Sequence, residues 1–331
     1  MSKDYLQRSI YNLVFHRRST IEDTSYFRDK KHNDHLVPEL DSTLENIIFH
    51  FDKFHKVTYD IQGLLDRGVD VVAQYEVEGV NESPNRIGFQ VKSYDDLEKE
   101  GWLTKLKSQM FEALERTNLK DLYVMLCTDV NRHLDKIRFV NSEVEGRSNL
   151  YAVRPEFAYT LLKLNSGRIA SKIKNDVSKE DVVLKEANKK LAYNNIHQSA
   201  ILIDVIVEIL LYGNNDYSVG SVEESEFIRQ IYDSVPYLSL SELEEEDEPN
   251  SAQTRSQEKV IHQDIDTLES SMIKIDRETQ KISLFQEQFA AVGAIALESV
   301  SRYGYGSLEA KNYLLHTLKE SQLETALSLK K

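Results

Sequence analysis

The stretch Ile87-Gly-Phe-Gln-Val-Lys-Ser93 constrains this chain more than any other. Its character alternates with a period of two. In an extended strand Gln90 and Lys92 therefore share one face, while Phe89 and Val91 point into a core. A lysine on the interior-facing register of an apolar strand costs roughly several kcal/mol unless it is paired. The segment upstream offers the pairing: Asp66-Arg-Gly-Val-Asp70 leads into the strand-like run Val69–Val77, and Asn81-Glu-Ser-Pro-Asn85 has turn chemistry. Ile87–Ser93 is then the antiparallel return. A lysine beside a carbonyl oxygen, opposite an aspartate from the neighbouring strand, can hold a divalent cation, orient a water and offset charge building on a scissile phosphate.

Elements around this pair read in a definite order. Tyr5, Leu6, Ile10, Leu13 and Val14 at helical spacing give a first helix. A polar stretch follows, containing His32-Asn33-Asp34-His35. Two histidines three apart can bind metal, but nothing apolar frames them, and the spacing reads as a solvated loop. Pro38 opens a second helix with Asp41 or Ser42 as cap, Glu45 in its first turn, and a stripe of Leu44, Ile47, Ile48 and Phe51. His50 and His55, near its end, read as surface residues. Val57–Ile61 is a short strand. After Ser93 come a helix over 95–116, a strand over 122–128, a short helix near 132–139, a strand ending at Val153 and a helix begun by Pro155. The order α-β-β-β-α-β-α-β predicts an α/β (α+β) fold with a mixed sheet flanked by helices.

Composition narrows the class. The chain has 331 residues, enough for two cores, and its single cysteine, Cys127, lies in an apolar strand where packing is its role. No internal disulfide can form, no apolar run approaches a membrane span, and the start lacks a secretory pattern, so a cytoplasmic location is expected. Net charge is −14, distributed as +2 over residues 1–37, −6 over 38–165 and −10 beyond. Phosphate binding is driven by basic surface, so a nucleic-acid enzyme with this balance needs a local basic groove or a partner that brings one. Lys99, Lys105 and Lys107 are placed to touch phosphates, but Glu98 and Glu100 interleave with them, and a solvated mixed face is the preferred account.

From about 166 onward strand signals disappear, and the expectation is an all-helical C-terminal region. Ile196–Leu211 is an apolar helix, and residues 239–256 form an acidic, proline-interrupted linker. Beyond it Ile261, Ile265, Leu268, Met272, Ile275, Ile282 and Phe289 recur at three-four spacing, which supports either a coiled coil or a long amphipathic helix packed in its own domain. The resulting organisation is an N-terminal helical extension (1–37), a catalytic-type domain (38–165), a helical domain (166–238), the linker (239–256) and a helical interaction region (257–331).

Leu44-Glu45, Asp66-Arg-Gly-Val-Asp70 and Phe89-Gln-Val-Lys92 together resemble the PD-(D/E)xK restriction-endonuclease-like superfamily. The likeness is to its Mrr-like branch, which pairs an early helix glutamate with a D-x-G-x-D strand entry and a Q-x-K strand. It covers residues of about 38–165 and no further. The resemblance implies a restriction-endonuclease-like core and a metal-dependent endonuclease acting on DNA, of the kind used in restriction or antiviral defence. It implies Asp70 as central metal ligand, Gln90 as a neutral oxygen ligand where the commoner pattern has an acid, the Val91 backbone carbonyl as a further ligand and Glu45 as a ligand, directly or through water. Lys92 would position and help deprotonate the attacking water or stabilise the transition state. Such hard oxygens favour Mg²⁺, with Mn²⁺ as substitute. Asp66 reads as a turn former. Gln109 matches a position where some relatives carry an auxiliary polar residue, but the reading preferred for it is a solvated helix face. An inactivated nuclease fold kept as a scaffold, or action on RNA, are the alternatives. A homo-oligomer or protein partner is expected through the C-terminal helices. No membrane and no nucleotide-driven motor enter, for no G-x-x-x-x-G-K-[ST] occurs.

Overall fold

The computed structural model describes residues 5–15, 26–51, 56–61, 68–76, 85–117, 119–147, 149–164, 166–176, 185, 196–214, 216–220, 251–269, 272–279, 281–284, 286–305 and single positions beyond. Asp66, His55 and the acidic segment up to Asn250 lie outside them. The protein is mixed α/β and divides into two compact units: Met1–Leu164 with Gly304–Gly306, and Asn165–Tyr303 with Ser307–Lys331. Among the described residues no helix is long and apolar enough to cross a membrane.

The first unit is built on a five-stranded sheet in the order β1-β2-β3-β4-β5, with β1 Lys56–Ile61, β2 Val71–Glu76, β3 Asn85–Lys92, β4 Asp121–Leu126 and β5 Leu150–Val153. β1, β2 and β3 run antiparallel, and β4 and β5 continue parallel to β3, so the sheet is mixed as the element order predicts. Every residue of β4 is buried, as expected of a central strand with helices on both faces. On one face α4 (Trp102–Thr117) and α5 (Leu134–Val144) bring Leu106, Met110, Ala113, Ile137, Val140 and Val144 onto Val72, Leu122, Val124 and Leu126. The opposite face is aromatic: Phe89 stacks on Tyr123 and Tyr123 on Tyr151, with Phe15 of α1 (Tyr5–Phe15) and Phe157 of α6 (Pro155–Leu162) beside them.

Two local signals differ from the sequence reading. The helix expected over 95–116 is two: α3 (Tyr94–Glu98) and α4, separated by extended Lys99 and by Gly101 at φ +72°. Ser93 and Asp96 form a reciprocal capping box that starts α3. The polar stretch at 32–35 is not a free loop. His32–Leu36 forms a π-helical turn running directly into α2 (Val37–Phe51), and Leu36 is fully buried beneath it.

The second unit is not all-helical. Helices α7 (Ser166–Asp176), α8 (Ile196–Tyr212), α9 (Ser251–Glu269) and α10 (Gln286–Tyr303) accompany a three-stranded antiparallel sheet of order β6-β8-β7, from Ser218–Gly220, Lys281–Leu284 and Ile273–Asp276. The expected continuous coiled coil or long helix through 261–289 is therefore overturned, because α9 ends at Glu269 and a hairpin follows. Ile273, Ile282 and Leu284 also satisfy a period of two, and all three are buried. At the tip, Asp276 Oδ1 accepts the N–H groups of Glu278 and Thr279 at 3.0 and 3.1 Å, a local bond that competes with helix propagation. The last six residues of the expected linker, Ser251–Ser256, are the start of α9.

Candidate active site

β3 outruns β2 at the end where Asp70 sits. The register pairs Val71 with Phe89, and Asp70 N–H donates to Phe89 O at 2.9 Å, so continuing the ladder sets Asp70 opposite Gln90. One residue on, Val91 N–H has no strand residue left to meet on that side. Asp70 supplies the acceptor: Val91 N–H donates to its Oδ2 at 2.6 Å, a short bond to a charged oxygen. On the α4 face of β3, Gln90 and Lys92 both reach Gln109. Lys92 Nζ donates to Gln109 Oε1 at 2.8 Å and Gln90 Nε2 donates to the same oxygen at 3.3 Å. Gln90 is 1 % exposed, and its Oε1 is a buried oxygen without a hydrogen-bond partner. Asp70, Gln90, Val91 and Lys92 are thus brought to one place.

Three further residues complete the site. His32 comes in from the π-helical turn. Its Nε2 donates to Asp70 Oδ1 at 3.1 Å, and its Nδ1 lies 3.2 Å from Asp96 Oδ2, an ion-pair contact off the line of a hydrogen bond. Burial by itself lowers the His32 pKa, but the hydrogen bond to Asp70 and the close carboxylates of Asp70 and Asp96 outweigh it and push it up to about 9. Asp96 is held far below the usual carboxylate range. Its burial opposes this, and His32, Lys99 and Ser93 together overcome it. The solvated-loop reading of His32 is thereby corrected, for no local signal marks a histidine whose partners lie 38 and 64 positions away. Gln109, read as a solvated helix face, turns inward for a similar reason: Gly68 at φ +85° lets the backbone of α4 approach the strand entry.

Glu45 stands apart. It is exposed on α2, in the third turn rather than the first, and its described effect is on Asp41, whose carboxyl is raised by burial and then by Glu45. Glu39, one helical face away, lies nearer: its charge, together with that of Asp70, adds to the burial that raises the Cys127 thiol. Glu39 accepts from Tyr26 Oη at 2.9 Å and from Lys30 Nζ at 2.7 Å.

A cleft of about 100 Å³ opens beside Lys92, lined also by Asp96, Leu97, Lys99, Glu100, Trp102, Lys105 and Gln109. It sets three lysines against two acids in a chain of net charge −14. Nearby, Thr128, His133 and Glu98 form a hydroxyl–imidazole–carboxylate chain: Thr128 Oγ1 is bonded to His133 Nδ1, and His133 Nε2 donates to Glu98 Oε1 at 2.6 Å. Thr128 and His133 are 1 % and 2 % exposed, so no substrate reaches the hydroxyl. The chain ties α3 to the start of α5 and is not a hydrolytic triad.

Among the described residues no three His, Cys, Asp or Glu side chains gather in a way that could hold a metal ion. A divalent cation at this site would rest on one carboxylate, Asp70, with the orphaned Gln90 Oε1, the Val91 carbonyl and waters, which suits a hard ion that keeps several of its waters. The unsatisfied Gln90 oxygen is the observation that favours the fit.

The raised His32 pKa gives a test of the apo arrangement. Protonated His32 stabilises the fold fully below pH 6.5, its ordinary value, and that contribution drains away as pH rises to about 9. In chelator-containing buffer, denaturant unfolding between these two pH values should show a loss of stability that His32→Gln removes. Equal pH dependence in the two proteins would show that the His32–Asp70–Asp96 contacts are not formed in solution.

The chain matches no family model, no curated protein and no solved structure.

Proposed function

We propose that the protein is a metal-dependent endonuclease that hydrolyses DNA phosphodiester bonds, with a restriction-endonuclease-like core of the PD-(D/E)xK type in its first unit. One observation carries the reading. At the ends of β2 and β3 a carboxylate, an orphaned buried amide oxygen and a lysine ammonium converge beside an open cleft. Structural roles explain part of this, since Asp70 caps Val91 N–H. They do not explain a buried oxygen left without a donor, which costs about 1–3 kcal/mol in a site that gains nothing from it.

In this reading Asp70, Gln90 Oε1 and the Val91 carbonyl hold Mg²⁺, or Mn²⁺ in its place. When bound, the ion makes a water acidic enough to attack at neutral pH and neutralises charge on the phosphate. Lys92 is oriented by Gln109, so its ammonium is presented to the cleft in one direction, toward the attacking water or a non-bridging phosphate oxygen. Asp70 is engaged through Oδ1 by His32 and through Oδ2 by Val91 N–H, so a cation and the imidazolium compete for the same carboxylate. Lys105 and Lys99, the latter paired with Asp96 at 2.8 Å, line the cleft beside Glu100 and offer phosphate contacts there. A role in restriction or antiviral defence, a cytoplasmic location, and control through an oligomer or partner held by the second unit complete the proposal.

The experiment is conversion of supercoiled plasmid to nicked and linear forms by the full chain with Mg²⁺ or Mn²⁺. Metal-dependent cutting is expected, and it should stop on adding chelator. Persistent absence of cutting on DNA, alone and with partners captured from the native host, would sink the reading.

A further inference from the structure

We propose that the outer face of α4 and α5 carries a single-stranded stretch of nucleic acid leading into the candidate site. The direction rests on the nuclease reading, but the surface itself does not. Three aromatic rings lie along this face, each with a cation against it. Lys136 Nζ is 5.8 Å from the Trp102 ring centre, Lys107 Nζ is 5.2 Å from that of Phe139, and the Arg147 guanidinium carbon is 5.3 Å from that of Phe111. Phe111 and Phe139 are 48 % and 36 % exposed, whereas nearly every other large apolar side chain described is covered.

The arrangement is continuous with the site. Trp102, packed partly against the core, lines the same cleft as Lys92 and meets Lys136 of α5; Phe111 lies about 14 Å further along α4 on that helix's other side, and the path between them runs over Lys136, Phe139 and Lys107. Both helices pack on the same face of the sheet through their apolar stripes, so the exposed rings are held on rigid elements. Alternating rings and cations match the chemistry of unpaired bases joined by phosphates: a base stacks on a ring, and the neighbouring cation takes the phosphate. A duplex keeps its base faces stacked on one another and has none to offer. Of the acids beside the row, Glu143 is held by Lys107 at 2.9 Å, Asp135 lies 3.8 Å from Arg138, and Glu115, four residues on from Phe111, is exposed; Lys107 keeps two of its three donors for a phosphate.

Trp102 is the only tryptophan in the chain, so its emission reports on this surface without a label. Full-length protein in chelator would be titrated with a thymidine oligodeoxynucleotide of about ten nucleotides, and with a duplex of equal length. The single strand should quench Trp102 and bind more tightly than the duplex. Phe111→Ala with Phe139→Ala should weaken single-strand binding about tenfold or more, while the protein stays folded with a melting temperature lowered by only a few degrees, roughly, since each ring is partly exposed. Arg147→Gln, a purely surface change, should lower the slope of log affinity against log salt by about one.

No quenching by the single strand, or binding indifferent to both phenylalanines and to Arg147, overturns the proposal. Equal loss of duplex binding on the same substitutions overturns it too, since the face would then be a duplex surface. The two readings fail separately. Plasmid cutting by a protein whose strand binding ignores these residues leaves the nuclease and removes the row. Strand binding that depends on them in a protein that never cuts leaves the row and removes the nuclease.

Discussion

Asp70→Asn and Lys92→Ala should each lower plasmid cleavage by about 10²- to 10³-fold while leaving the fold intact. The choice of substitution at Asp70 follows from its second job. Asp70 Oδ2 accepts Val91 N–H at 2.6 Å, so an alanine would leave a strand donor unpaired and confuse structural loss with chemical loss. Asparagine keeps one acceptor oxygen for Val91 N–H and removes the charge that a cation needs, together with the acceptor that His32 uses. At Lys92, removal of the ammonium leaves Gln109 Oε1 still bonded to Gln90 Nε2 at 3.3 Å, so the α4 contact survives. Lys92→Ala should therefore melt close to the parent, while Asp70→Asn should lose the His32 contribution as well, a deficit that shrinks as pH rises toward 9. Undiminished cutting by either variant would mean that the site lies elsewhere. Cutting lost together with the fold would show the residues to be structural, as the scaffold alternative holds.

The second large effect is on stability. Gly68→Ala should lower the melting temperature by roughly 10 °C, from a loss of about 3 kcal/mol. Two costs combine there. The residue has φ +85°, and a Cβ would stand 2.2 Å from the Gln109 carbonyl oxygen and 2.8 Å from its carbon, both backbone atoms of α4. Helix backbone does not yield as a flexible side chain does, so either α4 or the strand entry must shift. Because Gln109 orients Lys92, and Asp70 lies two residues on, the same shift should impair cleavage. Gly101→Ala is the control. Its φ is +72°, but nothing lies within 4 Å of the added methyl, so only the conformational cost of about 1 kcal/mol applies. Equal losses at the two positions would show that the contact between α4 and the strand entry is not as close as described.

Asp70, Gln90 and Lys92 were legible in the sequence because their relation is local. A period of two fixes which side chains share a face, and a turn-rich segment between two strand-like runs fixes that they pair antiparallel. His32 is not legible locally, because its surroundings are polar, and Gln109 is marked only by the family resemblance. Each is turned inward by groups distant in the chain: His32 by Asp70 and Asp96, Gln109 by Gln90 and Lys92. Glu45 shows the converse. A carboxylate at the right point of an early helix is easily read, yet its exposure depends on the rotation at which α2 meets the sheet, and it is Glu39 whose charge reaches Cys127.

What the amino-acid order determined by itself is the succession of elements in the first unit, the mixed α/β class, the burial of Cys127 and the shared face of Gln90 and Lys92, because each follows from hydrophobic period and turn chemistry over a few residues. Only the tertiary structure decided the rest. Ile273, Ile275 and Ile282 satisfy helix and strand periods alike, and the choice fell to the hairpin once Asp276 captured the turn N–H groups and β6 supplied a third strand from more than fifty residues upstream. The same holds for the imidazolium between Asp70 and Asp96 and for the aromatic row across α4 and α5. These are agreements between distant residues, and a local pattern carries no record of which distant partner will arrive.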